Sequence, residues 1–275
     1  MGGLCSCLGD DNQKSYQAPT PNTPLLANIG SGPGNNTGSD ASKTSGGKSA
    51  RQHKPIDKEK QFLTSLQQLS PVIVNDLPIP SLNKTFKYNS EKIDQAKLFN
   101  DLLERFEDLR RTLNDFKQIY EKDTRGIPTL KECMKLLSTN CGEAKITGTR
   151  TKYSVILEYD VRDVSDCCHG LPEDTLESLQ LYNKANALIR KIMEQTPHVK
   201  DSIQLVLDDE EKLRRDVTKE NLSASQGPEA LKICVRNINS LRSIPSSLET
   251  IQKYTDKSFK DLLESSKPFF SDREI

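Results

Sequence analysis

The sequence predicts an all-α protein: a bundle of long antiparallel helices, coiled-coil-like in its packing, behind a disordered, acylated N-terminal tail. Three observations carry this reading. Helix-breaking residues crowd the start of the chain, with nine of fourteen glycines before residue 48 and eight of fourteen prolines before residue 81. Beyond residue 88 the remaining glycines and prolines separate blocks rich in Leu, Lys, Glu, Gln and Arg, residues with good helix propensity. Within the first of these blocks, Phe99, Leu102, Phe106, Leu109, Leu113, Phe116 and Tyr120 recur at alternating spacings of three and four, a heptad seam.

The organisation that follows is an acylation signal over 1–7 and a disordered linker over 8–55. A short helix with an extended Pro-containing segment comes next over 56–88, then a helical bundle over 89–266 and a C-terminal tail over 267–275. The linker is a Gly/Ser/Asn/Thr/Pro tract whose few large apolar side chains, such as Leu25, Leu26 and Ile29, bury too little surface to offset the entropy of ordering it. Residues 56–69 form a short amphipathic helix. The run from Pro71 through Leu77-Pro78-Ile79-Pro80 reads as extended, docking on its own bundle or in a partner's groove.

In the body, Leu98, Leu103 and Ile119 widen the seam of 89–123 beyond a strict two-stranded coiled coil, as suits a helix inside a bundle. Residues 128–140 make a short helix with Leu130, Met134 and Leu137 inward. Residues 150–168 fit two templates: Tyr153, Val155, Leu157, Tyr159 and Val161 alternate like a strand, whereas Tyr153, Leu157, Val161, Val164 and Cys168 share a helical face. Helix is favoured, because no second alternating run stands nearby to pair with a strand. Pro172-Glu173-Asp174 opens the next helix, a proline followed by acids in the first turn. It runs to about 196 and either kinks at Pro197 or ends there, the apolar pattern resuming through Val199, Ile203, Val206, Leu213 and Val217. Another helix follows Gly227-Pro228, and Ser246-x-x-Glu249 reads as a capping box for the last.

The tip has the most specific chemistry. Met1-Gly2-Gly3-Leu4-Cys5-Ser6-Cys7 matches the myristoylation pattern, with Gly2 freed by removal of Met1 and Ser6 in the required position. Cys5 and Cys7 are then placed for palmitoylation at the bilayer surface. One myristate holds a protein weakly, on the order of 10⁴ M⁻¹, and a second chain makes attachment stable. These seven residues resemble the tips of other doubly acylated cytosolic proteins, including membrane-anchor subunits of lysosomal scaffold complexes. The resemblance implies the cytoplasmic face of a plasma or endolysosomal membrane. Lys43, Lys48, Arg51, Lys54, Lys58 and Lys60 add a basic stretch able to meet an anionic leaflet. Thr20, Thr23 and Ser70 each precede proline and are candidate phosphorylation sites.

Composition narrows the remaining classes. The net charge is zero, and residues from 89 onward carry 30 bases against 33 acids, which speaks against nucleic acid. Seven scattered cysteines, odd in number, fit a reducing compartment. Ser45-Gly46-Gly47-Lys48-Ser49 lacks the first glycine of a phosphate-binding loop, with Ser42 in its place. Cys167-Cys168-His169 has no partner pair at zinc spacing, and Asp208-Asp209-Glu210-Glu211 reads as a solvated helix face. The three histidines, His53, His169 and His198, offer no oriented base. No catalytic residue, metal or cofactor is expected. The function expected is a lipid-anchored helical adaptor or scaffold that binds protein partners through its bundle, with a homodimer as an option. A BAR-like membrane-shaping dimer is the alternative, and an enzyme or regulator of lipid or nucleotide metabolism stands behind both.

Overall fold

The computed structural model describes residues 58–88, 93–124 and 126–270. The fold is mostly helical. In chain order come α1 (Lys58–Gln67), an extended strap over 71–82, a 3-10 turn (Asn83–Phe86), and a minimal hairpin of β1 (Lys87–Tyr88) with β2 (Ile93–Asp94). Then follow α2 (Gln95–Ile119), α3 (Leu130–Asn140), β3 (Ile146–Arg150), β4 (Val155–Tyr159), α4 (Val161–Cys167) and α5 (Pro172–Asp208). The chain continues through α6 (Glu210–Lys219), α7 (Gln226–Arg242), α8 (Ile244–Ser265) and a 3-10 turn at Lys267–Phe269.

The seam of α2 is the spine of the core. All seven of its residues, Phe99 to Tyr120, are buried, and α2 packs along α5, which buries Leu179, Tyr182, Ile189, Ile192, Val199 and Ile203. Two edge-to-face ring pairs lock the spine: Phe106 with Tyr254 of α8 at 5.2 Å, and Phe116 with Tyr120 at 5.7 Å. Helix α5 runs unbroken through Pro197 over its full 37 residues, about 55 Å at 1.5 Å per residue. Proline removes one donor from its ladder, and beside it the Thr196 hydroxyl donates to the Ile192 carbonyl at 2.7 Å.

Residues 150–168 correct the sequence expectation. They form strand β4 and then helix α4, and β4 pairs antiparallel with β3 in the register Gly148↔Leu157. The partner strand escaped notice because its buried position is a glycine: along Ile146–Arg150 only Gly148 is buried, so no hydrophobic alternation appears. The ring of Phe270 occupies the space a side chain at 148 would need, 3.1 Å from a Cβ placed there. On α5, Asn186 accepts from the Val155 N–H at 3.0 Å, while Asn183 accepts from the Leu157 N–H and donates to its carbonyl at 2.9 and 2.8 Å. A helix thus supplies to β4 the hydrogen bonds a third strand would make.

The strap is held the same way. Asn100 of α2 pairs with both the N–H and the carbonyl of Val72 at 2.8 Å each, and Asn237 of α7 does so with Asn75 at 3.0 and 2.7 Å. Asn83 closes a third such pair on Leu77 at 2.7 and 3.1 Å. Between these clamps Val72, Leu77 and Ile79 are buried, and the core extends back to Leu66 of α1. At the other end Phe269 is buried within the stretch assigned by sequence to the C-terminal tail.

Two local expectations are also corrected. The Ser246–Glu249 capping box does not form: α8 begins at Ile244 with Pro245 in its first turn, and the Ser246 hydroxyl donates to the Ser243 carbonyl. A capping box occurs instead at α3, where Thr129 Oγ1 accepts from the Glu132 N–H and the Glu132 carboxylate accepts from the Thr129 N–H at 2.8 Å. Those bonds hold the Glu132 carboxyl below the usual carboxylate range. The acidic run 208–211 is not one solvated face. It spans the break between α5 and α6, and Glu210, only 14% exposed in its side chain, pairs with Arg214 at 2.7 Å and with Arg242 of α7.

Candidate partner-binding surface

The acylation residues Gly2, Cys5 and Cys7, the phosphorylation candidates Thr20 and Thr23, and Lys43, Lys48, Arg51 and Lys54 lie outside the described residues. Lys58 opens α1, Lys60 is exposed in its first turn, and Ser70 is exposed just after the helix. Near them the fold builds a feature that sequence reading did not identify.

Helix α1 packs against α8, and between them opens a groove of about 520 Å³ whose walls also include α2 and α3. Leu66, Leu113, Leu130 and Tyr254 line it, with Phe62 and Leu63 from α1 at its margin. Leu63 is 54% exposed, a large apolar side chain left at the rim. Three lysines converge there: Lys117 from α2, and Lys253 and Lys257, four residues apart on α8. The Lys253 ammonium sits 4.8 Å from the centre of the Phe62 ring, a cation–π contact that joins α1 to α8. Glu59 and Asp261 supply the acids of the groove. Among the described residues none of the three lysines has a carboxylate within ion-pair distance.

A second depression of about 440 Å³ is also lined by Leu113, Lys117 and Tyr254. It reaches Ile127, which is 82% exposed in the loop between α2 and α3. Its charges are partly neutralised within α2, where Arg110 pairs with Glu107 at 3.2 Å and Arg111 with Asp108 at 3.0 Å. Arg110 also lies 6.0 Å from the centre of Phe106. Burial raises the Tyr254 phenol above the ordinary tyrosine range, keeping a neutral, amphipathic ring on the groove floor.

The signal for this surface was faint in the sequence. Leu113 belongs to the α2 seam, and Lys117 reads as the solvated side of the same helix. Only the approach of α1 and α8 makes a groove of them.

His169 and His198 are exposed, and no group of three or more His, Cys, Asp or Glu residues could hold a metal ion among the described residues. Burial pushes the Cys133 thiol up to about 11 and the Cys141 thiol up to about 12, from an ordinary value near 9. It also pushes Tyr182 up to about 12. Each of these groups keeps its proton to higher pH when folded than when unfolded. Their contribution to stability is therefore complete below pH 9 and drains away as pH rises from about 9 towards 12. Urea midpoints should hold steady through neutral pH and fall progressively from pH 9 to 11; a constant midpoint across that window would mean these groups are not buried.

No described helix is long and apolar enough to cross a membrane. No protein-family model, curated protein or solved structure matches this chain.

Proposed function

We propose that this chain is a lipid-anchored adaptor. In this reading Gly2 carries myristate, Cys5 and Cys7 carry palmitate, and the acyl chains hold the protein at the cytoplasmic face of a plasma or endolysosomal membrane. The long helices α2, α5 and α8 act as a bundle that binds a protein partner, without turning over a substrate. The observation that carries the reading is the Met1–Cys7 signal, in which a myristoylation pattern and two cysteines fall within seven residues. The groove between α1 and α8 supports it, because a cleft floored by Leu66, Leu113, Leu130 and Tyr254 with exposed Leu63 on its border is the sort of surface that segments of other proteins enter.

The test is the distribution of the tagged full-length protein beside Gly2→Ala and Cys5→Ser/Cys7→Ser variants. The expected result is a membrane pattern that becomes diffuse in Gly2→Ala and is weakened in the double cysteine variant. Retention of Gly2→Ala on the same membrane would overturn the anchor and favour a body that binds lipid by itself, as the BAR-like alternative requires.

A further inference from the structure

We infer that the outer edge of β3 receives an extended segment of a partner protein, which adds a strand to the β3–β4 hairpin and sets an acidic side chain against Arg150. The inference rests on the adaptor reading for the existence of a partner, and its residues are not those of the groove between α1 and α8.

The edge is defined by the bonds on the far side of the hairpin. Leu157 uses both backbone groups on Asn183, and Val155 uses its N–H on Asn186, so these residues of β4 point away from β3. In the register Gly148↔Leu157 and Arg150↔Val155, these are therefore the non-hydrogen-bonded pairs. Thr147 and Thr149 bond to β4, while the N–H and carbonyl of Ile146, Gly148 and Arg150 point outward. The flanking residues keep the same phase: the Lys145 N–H donates to Asp163 at 2.7 Å, and the Thr151 N–H to the Ser154 carbonyl at 2.8 Å. No described residue hydrogen-bonds to the outward groups. Such a row of donors and acceptors is what an added strand pairs with. The need is greatest at Gly148, which is buried with the Phe270 ring on its face, because unpaired backbone groups are costly there.

The side chains say which segment fits. At the end of the edge a pocket of about 490 Å³ is lined by Thr149, Arg150, Thr151, Lys152 and Phe270, so its described lining has bases and no acid. Neither Arg150 nor Lys152 is in an ion pair with a described residue. Glu158 of β4 accepts from Thr149 Oγ1 at 3.4 Å, and Glu194 of α5 lies towards Lys152, but neither lines the pocket. Gly148 and Arg150 are two apart on one face of β3. The matching segment therefore carries an apolar residue opposite Gly148, against the Phe270 ring, and an acid two positions away, opposite Arg150. A second copy of β3 fits less well. Paired about Gly148 by a two-fold axis, it would set glycine opposite glycine and Ile146 opposite Arg150. The added strand would then bring neither a side chain to the ring nor an acid to the base.

The experiment uses the full-length chain and fluorescein-labelled peptides of about seven residues, enough to cover β3. Threonine alternates with glutamate, valine and glutamate in one peptide, and with lysine, valine and lysine in the other; the symmetry serves either strand direction. Anisotropy titration should show the glutamate peptide binding at least about tenfold tighter, with the difference shrinking at high salt. In Arg150→Glu/Lys152→Glu the preference should reverse, a gain of binding that misfolding cannot produce. N-methylation of every second peptide amide should abolish binding in one phase and spare it in the other, since only alternate amides face β3. On binding, exchange of the Ile146, Gly148 and Arg150 amides should slow, while that of Thr147 and Thr149 stays unchanged. Equal binding of the two peptides, or indifference to the phase of N-methylation, would overturn the inference. So would a concentration-dependent dimer that protects the same amides without peptide, which would give the edge to a second copy. Binding that appears only in Asp272→Lys/Glu274→Lys would give it to residues 271–275 of the chain itself, again against a partner strand. No membrane enters these titrations, so failure of the edge and failure of the anchor are read separately.

Discussion

Replacing Phe106 with alanine should lower the unfolding free energy by about 3–5 kcal/mol, the range for removing a fully buried aromatic side chain. Phe106 has no exposed surface, and its ring meets the Tyr254 ring edge-to-face at 5.2 Å while Arg110 approaches its face. The loss has two parts. Transfer of the ring to water and the cavity left behind make up most of it, and the aromatic pair adds about 0.5–1.5 kcal/mol beyond area. For a body of this size each kcal/mol moves the melting midpoint by roughly 2–4 °C, so the shift should approach or exceed 10 °C. Phe106→Leu should cost far less, and a double-mutant cycle with Tyr254→Leu should recover the ring–ring part alone. A loss below about 1 kcal/mol for Phe106→Ala would mean that the α2 seam is not the spine of the core.

Asn237→Ala should cost about 2–3 kcal/mol, from two lost hydrogen bonds near 1 kcal/mol each and the penalty for leaving backbone groups unpaired. Its amide is fully buried and reaches across 162 residues of chain to the N–H and carbonyl of Asn75. The damage should be local before it is global. Exchange of the Asn75 amide should accelerate, and limited proteolysis should cut within 71–82 while α2 and α5 remain protected. Asn237→Asp provides the finer comparison. A carboxylate still accepts from the Asn75 N–H but no longer donates to its carbonyl, and it brings a buried charge. It should therefore be nearly as damaging as alanine despite its almost identical shape. If neither variant changed exchange at Asn75, the strap would be held by its apolar residues alone.

The strap also marks the limit of what the chain revealed in advance. Its composition announced an extended, apolar segment in need of a surface. The asparagines that clamp it carried no signal, because an isolated Asn in a helix block looks the same whether it faces solvent or a backbone 28 or 162 residues away. The β3–β4 hairpin is hidden in the sequence for a related reason. Val155, Leu157 and Tyr159 alternate, but the strand opposite them buries a glycine whose missing side chain is replaced by Phe270, 122 residues further on. The capping boxes show the same point on a smaller scale: Ser246 and Glu249 had the right spacing, yet α8 started two residues earlier at Ile244.

What the sequence determined by itself is the helical character of the body and the identity of its seam. Burial at a spacing of three and four is a property of neighbouring residues, and proline and glycine limit helices through their own backbone geometry. All seven seam residues from Phe99 to Tyr120 are buried as that spacing requires. Only the tertiary structure decided which polar groups work in the interior and which apolar ones stay outside. Asn100, Asn183, Asn237 and Glu210 became internal connectors because backbone groups or arginines from other elements reach them. Lys117 and Leu63 became the border of a groove because α1 lies against α8. Those outcomes depend on the approach of segments far apart in the chain, and no local pattern encodes such an approach.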